Sequence, residues 1–152
     1  MAGDTGVAAP CIFCDIIRGE RPADVVFGDE QTLAFLDIRP VFPGHILLVP
    51  RLHVETLPEL AADRVGRLFR NARLLILAIE AGLAADGVFV AINHKVSQSV
   101  PHLHVHLVPR TRGDGLRGFF WPRHPYPDRQ AAQAIRERLV EAVARLSAED
   151  RS

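Results

Sequence analysis

The chain has 152 residues, 48% of them hydrophobic, with 18 basic against 18 acidic side chains and therefore no formal net charge. At this length roughly 70% of the unfolded surface can be buried, so a domain with a true core is expected and dominant disorder is excluded. Charge balance removes the counterion-release signature of a general nucleic-acid binder, and no apolar run approaches the roughly 20 residues of a spanning helix; a cytoplasmic protein with no nucleic-acid or membrane partner is expected.

Met1 to Pro10 is rich in small residues and reads as a flexible N-terminus. Ile12, Phe13, Ile16 and Ile17 recur at helical spacing until Gly19, which predicts a short helix. Val25-Val26-Phe27 and Thr32 to Leu36 predict a hairpin across Gly28 to Gln31, and a third strand follows from His45 to Pro50 after the stiff connection Arg39 to Gly44. Thr56-Leu57-Pro58-Glu59 reads as a capping box opening a long core helix, in which Val65, Leu68, Ala72, Leu75, Ile79 and Leu83 repeat at three and four. That helix is expected to stop near Asp86-Gly87. Val88 to Asn93 reads as a fourth strand and Pro101 to Pro109 as a fifth; after a loop from Arg110 to Pro127, Ile135, Leu139, Val143 and Leu146 mark a C-terminal helix capped by Asp128. The expectation is an α+β fold: a five-stranded, mostly antiparallel sheet with one long core helix, a short N-terminal helix and a C-terminal helix. The domain proper is placed at 11–110, with 111–152 a substrate-influencing loop and a helix packed on the same domain.

Two features carry chemistry. Cys11 and Cys14 are too close in sequence for a useful structural disulfide, and no strand precedes them as in a thioredoxin-type motif. They read as paired metal ligands or as two small semi-buried hydrophobes. His102, His104 and His106 alternate along one strand, so they share a face about 6.6–7 Å apart while Leu103, Val105 and Leu107 point into the core. The imidazoles are then expected on a concave or solvent-facing surface. A polar strand face that happens to be histidine is one alternative; a zinc site of all three is another, weakened by poor tetrahedral geometry on one strand. A neutral imidazole can attack phosphorus without a metal, splitting one displacement into two, while neighbouring histidines stabilise charge on the phosphoryl oxygens.

His102 to Val108 also fits the pattern His-φ-His-φ-His-φ-φ, with φ apolar, and here the sequence resembles the histidine triad family, in its zinc-containing bacterial-type branch. Cys11 to Ile17 resembles the family's opening helix, Phe35 to Pro40 its ribose-binding turn, Gly44 to Pro50 its third strand, and Gln98-Ser99-Val100 the segment before the triad. The resemblance implies His104 as nucleophile, His106 on the phosphate and His45 in support. It also implies Ser99 protonating or positioning the leaving group and Asn93 holding the nucleotide, although both also read as turn residues. The stretch Asn93 to Ser99 is about two residues shorter than the family's usual loop and lacks its glycines. Asp37 would accept the ribose hydroxyls, and Phe13, Ile16 and Ile38 match apolar positions around the base, each equally plausible as core. Cys11, Cys14, His53 and His102 would hold a structural zinc. His94 and His124 receive no role, and Trp121-Pro122 loosely resembles a Trp-Pro near the partner's site in some members.

The implied protein is a homodimeric hydrolase or nucleotidyl transferase acting at the α-phosphorus of a purine nucleotide, a phosphoramidate or a dinucleoside polyphosphate. The alternatives are a nucleotide-binding regulatory or interaction protein with little turnover, and a metalloenzyme using the triad as ligands. Lys95 is the only lysine, so 17 positive charges are arginine and any single arginine weighs little as a phosphate clamp. The arginines of 110–124 read either as sensing a distal phosphate or second nucleotide or as a solvated loop, which the arginine-rich background favours, while Phe119, Phe120 and Trp121 are expected to pack on the body of the domain or on a partner subunit.

Overall fold

A computed structural model describes residues 10–117 and 123–149. Phe119, Phe120 and the Trp121-Pro122 pair lie outside the described residues, as does nearly all of the expected flexible N-terminus. The chain forms two compact units divided between Asp114 and Gly115. The first extends past Arg110 because Asp114 closes the turn there: Arg110 Nε donates to Asp114 Oδ2 at 2.6 Å, and the Thr111 N–H donates to the same oxygen at 3.2 Å.

In the first unit, α1 (Ile12–Ile17) is followed by β1 (Val25–Gly28), β2 (Thr32–Leu36) and β3 (Ile46–Pro50), a short 3-10 turn (Leu57–Glu59), α2 (Ala62–Leu83), β4 (Gly87–Ala91) and β5 (Val105–Arg110). The five strands form one sheet in the order β1-β2-β3-β5-β4, and every neighbouring pair is antiparallel. The second unit holds α3 (Arg129–Glu149), whose first turn is capped by the Asp128 carboxylate accepting the Ala131 N–H at 2.7 Å.

Period two decides the layers. On one face Ala34, Ile46, Leu48, Val105 and Leu107 pack with Leu68, Ala72, Leu75 and Ile79 of α2; on the other Leu33, Phe35, Leu47 and Val49 pack with Cys11 and Phe13 from the α1 region. All five residues of β3 are buried because both faces of the sheet are covered there, so its sequence is a continuous apolar run rather than an alternation. His106 pairs across the sheet with Leu47 on β3 and Ala91 on β4. The odd-numbered Leu103, Val105 and Leu107 belong to the α2 side, which leaves the even-numbered histidines on the α1 side.

Three boundaries differ from the expectation. Thr56 and Glu59 do not open α2: Pro58 lies in a one-turn 3-10 helix, Leu60 is extended, and α2 starts at Ala62 with no side-chain cap. The Glu59 carboxylate instead accepts the Glu55 N–H and the Thr56 hydroxyl at 3.0 and 2.9 Å. At its other end α2 stops at Leu83, where Ala84 takes a left-handed conformation, so Gly87 is free to begin β4. Strand β5 starts at Val105 rather than Pro101. Pro101 has no N–H, the His102 N–H turns back to Val100 O, and the Leu103 N–H is taken by Val54 O, so the segment cannot ladder with a strand until Val105.

A half-buried polar knot ties α2 to the β1–β2 hairpin. Asp29 Oδ1 accepts the Gln31 and Thr32 N–H groups at 2.9 and 2.8 Å, and Oδ2 accepts Arg67 Nε and Asn71 Nδ2 at 2.9 and 2.8 Å. Burial opposes the charge, but the donors from Asn71, Gln31, Arg67 and Thr32 outweigh it and hold the carboxyl well below the usual carboxylate range. Asp29→Ala is expected to lower unfolding free energy by about 3 kcal/mol in urea titrations, because Asn71 and Thr32 lose their acceptor. A carboxyl depressed in the folded state binds fewer protons than in the unfolded one. Its stabilisation is therefore full above its ordinary titration range and is lost as pH falls toward the folded value; the variant should show a shallower acid limb than wild type.

Candidate functional site

Two clusters of side chains sit on the α1 face of the sheet, and the ring of Phe13 lies between them. Its centroid is 5.9 Å from that of His102 and 5.2 Å from that of His104, in edge-on geometry with both. Of the two surfaces expected for the imidazoles, concave or solvent-facing, His104 and His106 take the concave one. His102 and His104 are 0% and 4% exposed, because α1 and the Phe13 ring cover the strand face that alternation alone would leave open.

The first cluster is Cys11, Cys14, His53 and His102, whose ligand atoms all lie within 4.8 Å of one another. Cys11 Sγ is 3.5 Å and Cys14 Sγ 3.6 Å from His102 Nδ1, Cys14 Sγ is 3.3 Å from His53 Nδ1, and the two Nδ1 atoms are 3.2 Å apart. A tetrahedral zinc with bonds of about 2.3 Å to sulfur and about 2.05 Å to nitrogen separates S and N by about 3.6 Å and N and N by about 3.3 Å. The donor set therefore fits that ion. His102 Nε2–H donates to Pro50 O at 2.8 Å, which fixes the tautomer and leaves Nδ1 as the ligand atom.

The second cluster is His104, His106 and His45. His104 Nδ1 lies 2.7 Å from His102 O; a carbonyl only accepts, so Nδ1 carries the proton and Nε2 keeps its lone pair. The Val41 N–H donates to His45 Nδ1 at 3.1 Å, and a backbone amide only donates, so the His45 proton is on Nε2. That Nε2–H donates to His106 Nδ1 at 3.0 Å, which leaves His106 Nε2–H as a buried donor with no partner among the described residues. One backbone amide thus sets the polarity of the whole relay. Burial, then the neighbouring His104 and His45, push His106 down to about 4, against a weaker opposing pull from Asp37; burial likewise pushes His45 down. Asp37, His45 and His106 also bring ligand atoms within 4.8 Å. This group does not suit a metal, because the only lone pair of His45 is occupied by Val41.

His104 and His106 open on a cavity of about 640 Å³, in the ordinary range for a small-molecule site. Its walls are apolar, with Phe13, Ile16, Phe35 and Leu47 among them; Asp37, Ile38 and Ser99 also line it. Asp37 sits just past the end of β2, where its Oδ1 accepts the Arg39 N–H at 2.8 Å and its Oδ2 lies 3.7 Å from His45 Nδ1. His45 stands behind His106 rather than on the cavity wall. Asn93 is exposed and does not line the cavity, and His94 and His124 are exposed as well. The short turn between β4 and the triad does without glycines by placing Lys95 and Ser97 at φ 66° and 60°, and Gln98 braces it: Oε1 accepts the Lys95 N–H and Nε2 donates to Glu55 O.

Sequence reasoning missed the Val41 amide and the Pro50 carbonyl, which no side-chain pattern can reveal. It also missed Arg21 and Arg39 on the cavity wall. For Arg39 a signal existed, since it follows Asp37 by two residues.

A sheet that carries alternate imidazoles over an apolar cavity, with a closed Cys₂His₂ donor set beside them, is the architecture of a histidine triad domain. Comparison with known proteins agrees: the family profile described as HIT domain matches residues 18–113, and the chain belongs to that family. An uncharacterized HIT-like protein of Mycobacterium tuberculosis is 40% identical over 148 residues, covering 91% of this chain and 96% of its own. An Arabidopsis thaliana protein named as an adenylylsulfatase is 40% identical over 121 residues, covering 75% of this chain and 76% of its own. Among solved structures, a zinc-bound histidine triad family protein from Mycobacterium smegmatis superposes with a TM-score of 0.67 at 35% identity, covering 88% of this chain and 96% of its own. A histidine triad nucleotide-binding protein from Candida albicans gives 0.79 at 28% identity, covering 90% and 99%.

The tautomers are directly testable. Long-range ¹H–¹⁵N spectra of the imidazoles near neutral pH should show His104 protonated on Nδ1 and His45 and His106 on Nε2. His106 should stay neutral until the pH falls to about 4. Titration of His106 near its ordinary value would break the relay as described.

Proposed function

We propose that this chain is a nucleotide hydrolase or nucleotidyl transferase that acts at the α-phosphorus of a purine nucleotide through a covalent nucleotidyl-His104. The observation that carries the reading is the pairing of opposite tautomers on one cavity wall: a lone pair on His104 Nε2 and an unpartnered N–H on His106 Nε2. In the first step His104 Nε2 forms a bond to phosphorus as the bond to the leaving group breaks. The positive charge that develops on the ring is met by the His102 carbonyl at Nδ1–H. His106 Nε2–H donates to a phosphoryl oxygen. Because His106 is held neutral, its task is charge stabilisation, and the proton for the leaving group comes from the Ser99 hydroxyl or a water beside it. Water then displaces His104 from phosphorus; the proton this water loses returns to the Ser99 hydroxyl or its water, and the imidazole is neutral again. Asp37 accepts the ribose hydroxyls, and Phe13, Ile16 and Ile38 flank the base; Asn93, outside the cavity, is assigned at most a contact at its mouth.

Both phosphoramidates and dinucleoside polyphosphates suit this chemistry, and the adenylylsulfatase name of the Arabidopsis relative adds a mixed phosphate–sulfate anhydride as a third leaving-group class. Cys11, Cys14, His53 and His102 would hold zinc in a closed, structural site that ties α1 to the triad segment. The zinc-bound relative supports that assignment. A cytoplasmic location keeps those thiols reduced. The open edge at β4, with Val90 exposed, and the exposed Phe69, Leu74 and Leu77 of α2 support a homodimer.

Rapid mixing with an adenosine phosphoramidate or a dinucleoside polyphosphate, followed by intact-protein mass spectrometry, should reveal a transient nucleotidyl adduct in wild type and none in His104→Gly. Turnover should fall about 10³-fold or more in that variant and about 10²-fold to 10³-fold in His106→Ala. Nucleotide binding with no adduct and no turnover would favour the binding-protein alternative. For the metal, one zinc per chain is expected, and chelation should lower Tm by about 10 °C while cleavage persists until the chain unfolds. Cleavage lost at once in a still-folded chain would mean the metal is catalytic.

A further inference from the structure

Among the described residues three charged side chains line the cavity, Asp37, Arg21 and Arg39, and only the carboxylate has a task so far. Arg39 gives its backbone N–H to Asp37 Oδ1 at 2.8 Å, so it stands beside the carboxylate assigned above to the ribose. Arg21 lies on the connection from α1 to β1. That connection is held against the end of β2 by the Leu36 N–H, which donates to Asp24 O at 2.9 Å. The two arginines therefore line the same cavity as Asp37 and Ile38, from the α1–β1 connection and from the turn itself. Both are exposed, and among the described residues neither guanidinium has a hydrogen bond or ion pair. Arg18, a turn earlier, shows the contrast: Asp15 and Glu20 hold its guanidinium at 2.6 and 3.1 Å.

A purine ring and an unmodified ribose present no negative charge to such a pair. We propose that the preferred nucleotide carries a second phosphoryl group on its ribose, at O2′ or O3′, which Arg21 and Arg39 bind while Asp37 accepts the remaining hydroxyl. Asp37 alone would repel that phosphate; two guanidiniums reverse the local sign and supply the forked donors a phosphate takes best. This inference rests on the reading of the cavity as a nucleotide site.

Isothermal titration with AMP, adenosine 3′,5′-bisphosphate and adenosine 2′,5′-bisphosphate tests it with stable, product-like probes. One bisphosphate should bind wild type about tenfold tighter than AMP, its identity naming the oxygen, and the advantage should shrink as salt is raised. In the double variant Arg21→Ala/Arg39→Ala the ratio of the two Kd values should fall close to one, with thermal melting confirming that the variant is folded. A ratio near one in wild type, or a tenfold ratio that survives in the double variant, overturns the inference. If AMP binds and neither bisphosphate gains, only this inference fails; if no adenine nucleotide binds at all, the nucleotide reading of the cavity fails first and takes this one with it.

Discussion

Every polar atom of His102 is committed, and the site hangs from that residue. Its Nδ1 completes the Cys11, Cys14 and His53 donor set, its Nε2–H is anchored on the Pro50 carbonyl at the end of β3, and its own carbonyl accepts the proton that orients His104. The ring is 0% exposed, so each of these bonds lies out of water, where losing one would leave a buried polar group unpaired. The same residue that would close a metal site thereby sets the tautomer of its neighbour two positions on. A structural ion there would stiffen the nucleophile without touching it.

The second constraint is that the imidazoles work as neutral groups of defined tautomer. Covering the triad face with α1 and Phe13 removes the water that would otherwise let His45 and His106 charge, and the polarity of the relay then follows from one amide at Val41. A chain of hydrogen bonds that begins on a backbone donor can point in only one direction, so the His106 proton is presented to the cavity. The opposite face of the sheet supplies the rigidity. There α2 packs the larger apolar cluster and is locked to the β1–β2 hairpin through Asp29, Arg67 and Asn71. Gly44, at φ 95°, leads into His45 where any Cβ would press on Leu83 of α2, so the helix end and the start of the relay are in contact through a residue that has to be glycine.

Legibility from sequence followed the range of the interaction. The five strands, the long helix and the short first helix could be read because apolar periodicity is a local record of which side is buried. The alternation from His102 to Leu107 likewise separated imidazoles from core before any coordinates. Element ends were harder. The Thr56–Glu59 pair has the composition of a helix cap, yet Pro58 and the extended Leu60 spend it on a separate 3-10 turn. The start of β5 moved four residues because a strand needs a partner, and the N–H groups of His102 and Leu103 were already taken by Val100 and Val54.

By itself the sequence determined the chemical inventory: three imidazoles in phase on one segment, two thiols a helical turn apart, a carboxylate at a strand end, and the family that combination resembles. Those are properties of residue type and spacing, which survive without coordinates. Only the tertiary structure decided which groups meet. Cys14 and His53 are 39 positions apart and their ligand atoms lie at 3.3 Å; His45 and His106 are 61 apart and lie at 3.0 Å. It also decided that Asn93 stays outside the cavity, that Arg21 and Arg39 enter its wall, and that a main-chain amide at Val41 orders the relay. Backbone donors are the same at every residue, and long-range proximity leaves no periodic trace in a single chain, so neither could be read until the sheet had brought β2, β3 and β5 side by side.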